Sequence, residues 1–142
     1  MQIALGFQMI RLLLVFALIT AGLAKAEGRP MSGDDFRALS EGWTLHFEDE
    51  LGEYFGSEQF FTGDATVWAP RGGECQPGWW EEDEGRICFY YATGSACWRL
   101  FQTGADEMLA IAANDVQSQP PLRLRLIRKD KGGLLCKEEP GV

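Results

Sequence analysis

The sequence predicts a mainly β protein: an antiparallel meander curling toward a small barrel, with one short N-terminal helix. Three observations carry this reading. Alternating apolar and polar runs recur about every 8 to 12 residues. Clusters of Gly, Asp, Ser and Thr separate them. No helical apolar period stands between successive strands, so the βαβ rhythm of a parallel sheet is absent from the sequence.

The elements follow in order. Ser32 is a good helix N-cap, and Asp35, three residues on, is placed to bond back in the manner of a capping box. The helix is expected over residues 33–40, with Phe36 and Leu39 on its inner face and Gly42 as the stop. Residues 43–47 alternate, with Trp43, Leu45 and Phe47 on one face. The acidic stretch 48–52 reads as a turn. Residues 54–61 and 65–69 form the next strands, and Gly56 marks a bulge or a close backbone approach. Two aromatic runs, 78–80 and 86–91, flank an acidic, glycine-ended turn at 81–85. A turn at 92–95 leads to a strand over 97–102, and residues 103–106 turn again. Residues 107–113 suit a strand or a helical turn. Pro120 and Pro121 end a polar stretch and exclude a central strand there. Leu122, Leu124 and Leu126 alternate with Arg123 and Arg125, a strand with leucines inward; residues 129–133 read as a turn.

The first 26 residues read as a cleavable signal peptide. Arg11 precedes an apolar run that ends at Lys25, and Ala24-Lys25-Ala26 is a small-x-small cleavage site. The run is shorter than the roughly 20 apolar residues a membrane span needs. The expected organisation is therefore a leader over 1–26 and a single β domain over 27–142, exported to the periplasm, with no membrane span after cleavage. The chain has 13 basic and 21 acidic residues and a formal net charge of −8. Two of the basic residues, Arg11 and Lys25, fall in the leader. An acidic domain repels phosphate backbones, which argues against nucleic-acid partners. The basic segment 123–131 is expected to lie against the protein's own acidic half.

Cys75, Cys88, Cys97 and Cys136 all follow the leader. In an oxidising compartment four cysteines imply two disulfides, with three pairings possible. A turn centred on Ala92 and Thr93 sets Cys88 opposite Cys97, leaving Cys75 for Cys136. A metal site is not expected: there is no Cys-x-x-Cys pair, and His46 is the only histidine. No cofactor is implied.

No motif specifies an enzyme. His46 alternates with Leu45 and Phe47 and is expected to point to solvent, and no Gly-x-Ser-x-Gly elbow exists. The carboxylates of Glu48, Asp49, Glu50, Glu53 and Glu58 and of the run 81–84 are read as solvated acids at turns. The aromatic residues are the binding candidates: Trp68, Trp79, Trp80, Tyr90, Tyr91 and Trp98. Adjacent Trp79 and Trp80 must face opposite ways, as must Tyr90 and Tyr91. Outward rings aligned across the hairpin would make a patch for a saccharide, an apolar molecule or a protein; cross-strand packing is the plainer reading.

The succession Gly42-Trp43-Thr44-Leu45, Tyr54-Phe55-Gly56-Ser57-Glu58-Gln59, Val67-Trp68-Ala69, Glu74-Cys75, Gly78-Trp79-Trp80, Ile87-Cys88-Phe89-Tyr90-Tyr91 and Cys97-Trp98, with late Cys136, resembles a family of small exported periplasmic proteins of alphaproteobacteria. The resemblance implies a periplasmic, mostly β protein and carries over no catalytic residue. The expected function is a non-enzymatic binding or envelope-associated module. The alternative is an inhibitor of a cationic, lysozyme-like cell-wall hydrolase, which charge would favour. A hydrolase using paired carboxylates comes third.

Overall fold

The computed structural model describes residues 27–113 and 120–136. The expected leader and most of the polar stretch before Pro120 lie outside them. The order is β1 (Arg29–Pro30), α1 (Gly33–Ser40), β2 (Thr44–Glu48), β3 (Tyr54–Phe60), β4 (Ala65–Pro70), β5 (Gln76–Asp83), β6 (Arg86–Tyr91), β7 (Gly94–Gly104), β8 (Glu107–Ala112) and β9 (Arg123–Asp130). Strands β2 to β9 each pair antiparallel with the next, and β9 returns to pair with β2. The meander therefore closes into an eight-stranded barrel. Closure pairs the strand edges that an open sheet would leave to other chains.

Alternation decides what faces inward. Leu45 and Phe47 of β2, Phe60 of β3, Ile87 and Phe89 of β6, and Leu124 and Leu126 of β9 are buried. Helix α1 plugs one end. Its capping box forms as expected: Ser32 Oγ accepts from the Asp35 N–H, and Asp35 accepts from the Ser32 N–H. The edge-on rings of Phe60 and Trp80 lie 5.3 and 5.0 Å from Phe36. Arg37 lies over the Trp80 ring and pairs with Asp64 at 2.7 Å, while the Gly33 N–H donates to Glu82. The plug is thus bonded to the β3–β4 and β5–β6 ends of the barrel.

Several boundaries differ from the sequence reading. Glu81, Glu82 and Asp83 belong to β5 rather than to a turn, because only Glu84 and Gly85 turn the chain, both with positive φ. Strand β7 runs on to Gly104, and residues 107–112 are strand. Residues 129–130 extend β9, where Lys129 and Asp130 pair with Leu45 and Thr44. Two-residue β1 had no periodic signal; it pairs with β7 through Arg29 and Pro30.

The disulfides are Cys88–Cys97, linking directly opposed residues of β6 and β7, and Cys75–Cys136, fastening the C-terminal segment to the start of β5. These are the expected pairs. The basic strand β9 meets the acidic half of the same chain: Arg123 pairs with Glu27 and Glu50, Arg125 with Glu48, and Lys129 with Asp106.

Candidate binding cavity

The barrel encloses a cavity of about 250 Å³. Its floor is formed by buried Phe36, Phe60 and Phe89 and its rim by partly exposed Phe55, Trp68, Tyr91, Ala96 and Trp98. The rim lies at the end opposite α1, near the β2–β3 and β6–β7 turns.

Two glycines make room for the rim rings. A Cβ at Gly56 would stand 2.4 Å from the Trp68 ring, and one at Gly78 would stand 2.6 Å from the Tyr91 ring. Neither position needs positive φ, so close approach is what selects glycine there.

Among the described residues, Glu58 and Tyr91 are the only ionisable side chains in the lining. Glu58 is 4% exposed, inside the barrel beside Phe60. The assignment of Glu58 to the solvated acids is therefore incorrect. Its period-two spacing from Gly56 and Phe60 was the available signal, since alternate residues of a strand share a face. Thr66 Oγ1 donates to Glu58 Oε1 at 2.6 Å, and Tyr91 Oη lies 2.8 Å from Oε2 and 3.0 Å from Oε1. Burial pushes the Glu58 carboxyl up to about 7, against the opposing pull of the two hydroxyl donors. Burial, and then the negative Glu58, hold the Tyr91 phenol far above its usual range. Burial thus makes this carboxyl easier to protonate than a solvated one, the kind of perturbed group found at functional sites.

The six aromatic candidates divide three ways. Trp68, Tyr91 and Trp98 line the cavity. Trp80 is buried against Phe36 as part of the core. Trp79 and Tyr90 stack on the outer face, with centroids 4.3 Å apart, and Tyr90 donates to Glu81. Trp79 is 47% exposed. The adjacent residues do face opposite ways, but the structure brings three of the six together inside the barrel rather than on a surface patch.

A second recess, about 620 Å³, lies outside the barrel between β2–β4 and the segment held by Cys75–Cys136. His46 lines it but does not project freely into solvent; its side chain is 14% exposed. With Nε2–H donating to Asp130 at 2.8 Å, Nδ1 accepts from Ser57 at 2.5 Å, and the Ser57 oxygen accepts from Tyr54 at 2.7 Å. The His46 bond, then the Gly132 N–H, hold the Asp130 carboxyl below its usual range. Serine, histidine and aspartate follow one another as in an acyl-transfer triad. Ser57 also lines the recess, but it is 2% exposed and its oxygen accepts from Tyr54. The chain of bonds ties β2, β3 and β9 together.

Among the described residues no group of His, Cys, Asp and Glu is arranged to hold a metal ion, and no helix is long and apolar enough to cross a membrane. Comparison with protein-family models, curated proteins and solved structures returns no match.

Proposed function

We propose that this protein is a non-enzymatic binding barrel that holds a small, largely apolar molecule in its interior. The carrying observation is the aromatic-walled cavity of about 250 Å³, closed by α1 at one end and rimmed by partly exposed rings at the other. An apolar cavity of roughly 150 Å³ accepts benzene, so this one suits on the order of ten non-hydrogen atoms. Small eight-stranded barrels have room for one such ligand. The signal-like leader and the two disulfides support a periplasmic setting, since such cross-links persist in oxidising compartments. Inhibition of a cationic cell-wall hydrolase has the acidic charge, the disulfides and the small barrel behind it, but no feature of the cavity.

Calorimetric titration with 4-phenylbutan-1-ol tests the reading. The expected result is one molecule bound per chain, with affinity reduced about tenfold or more in Ala96→Phe, which fills the rim. Equal binding by a folded Ala96→Phe variant would place the ligand elsewhere, and no binding by the unaltered protein would remove the proposal.

A further inference from the structure

A carboxyl inside an aromatic cavity is costly to keep without a counter-charge. Among the described residues no Lys, Arg or His pairs with Glu58; its partners are the hydroxyls of Thr66 and Tyr91. A carboxylate offers about four acceptor positions. Thr66 meets Oε1, and the single Tyr91 hydroxyl bridges both oxygens with the shorter distance to Oε2, so two donors leave acceptor positions of Glu58 unfilled. The rings of Trp68, Tyr91 and Trp98 line the same cavity, and the faces of such rings attract cations. The excess of 21 acidic over 13 basic residues also raises the local concentration of cations.

We infer that the molecule this cavity takes is an organic ammonium ion, with its N–H groups donating to the Glu58 carboxylate and its carbon skeleton among the aromatic rings. This rests on the barrel being a ligand container and adds the chemical class of its ligand. The ammonium supplies the charge that the fold leaves out. Facing Glu58 are Leu45 of β2, Thr66 and Trp68 of β4, and Tyr91 of β6; the lining from α1, β7, β8 and β9 has no ionisable group. Tyr91 stays neutral across the usable range, so among the described lining residues Glu58 sets the pH dependence of binding.

The test compares 4-phenylbutylamine with 4-phenylbutan-1-ol by calorimetry. Near pH 8.5 the amine is expected to bind about tenfold tighter than the alcohol. Near pH 5.5, with Glu58 protonated and the amine still charged, the preference should fall to about threefold or less. Glu58→Gln should abolish the preference at both pH values. Equal affinities in the unaltered protein near pH 8.5, or a preference surviving Glu58→Gln, would overturn the assignment while leaving the container intact. Should Glu58→Gln fail to fold, the two pH values decide: a preference identical at both overturns it. Binding of neither compound would dispose of the container and of this inference together.

Discussion

Tyr91 reaches from β6 to Glu58 on β3, with its hydroxyl 2.8 Å from one carboxylate oxygen and 3.0 Å from the other. The contact sets a titratable group inside the barrel, and its first consequence is for stability. Glu58 has a folded-state value near 7 against an ordinary value of 4.5. Between these values the native protein binds more protons than the unfolded chain, so stability falls as pH rises. The loss amounts to about 3 kcal/mol and is complete above the folded-state value. Urea unfolding of the unaltered protein and Glu58→Gln, compared from about pH 4.5 to pH 8, checks this; the difference between the two curves should carry the slope.

Gly78 is needed for the placement of Tyr91. A Cβ there would stand 2.4 Å from the Tyr90 carbonyl oxygen and 2.6 Å from the Tyr91 ring. Gly78→Ala is expected to cost about 2 kcal/mol and to weaken any cavity ligand. Thermal unfolding with calorimetric titration checks both effects. An unchanged unfolding midpoint would mean that the ring and strand yield freely.

The two disulfides close loops of different length. Cys75–Cys136 spans 61 residues and Cys88–Cys97 spans 9. In the chain-entropy model they stabilise by about 4 and about 3 kcal/mol respectively. Paired serine substitution at 75 and 136 is therefore expected to lower the unfolding free energy more than the pair at 88 and 97. It should also increase solvent access to His46, measurable by its reaction with diethyl pyrocarbonate. Equal losses from the two pairs would contradict the loop-length argument.

Trp79 stacks on Tyr90 on the outer face, away from the cavity lining. Trp79→Ala should cost about 1 kcal/mol of stability and leave cavity binding unchanged. A loss of ligand affinity in this variant would indicate that the outer stack belongs to the binding surface.

Local features were legible where the chain's own chemistry sets them. Ser32 and Asp35 specify the start of α1, because the side chains that cap it lie within the same turn. The turn centred on Ala92 and Thr93 set Cys88 against Cys97, since hairpin register follows the turn. Acidity misled the reading of Glu58 and of residues 81–83, because charged residues usually mark turns and solvent. Glu81–Asp83 remain in β5 because a strand with one face outside tolerates acids there, and Glu82 finds the Gly33 N–H of α1. His46 was placed on the outer face, but the covering Cys75–Cys136 segment is distant in sequence and left no local mark at position 46.

The sequence by itself determined the strand alternation, the capped helix, the meander and the opposition of Cys88 to Cys97, all of which follow from neighbours along the chain or across one turn. The tertiary structure alone decided that β9 closes on β2, that Trp68, Tyr91 and Trp98 converge inside, and that Glu58 shares their cavity with no cationic side chain beside it among the described residues. Periodicity tells which residues share a face of a strand. Only closure of the sheet sets residues from distant strands across the same enclosed space and removes the water that would otherwise solvate the carboxylate.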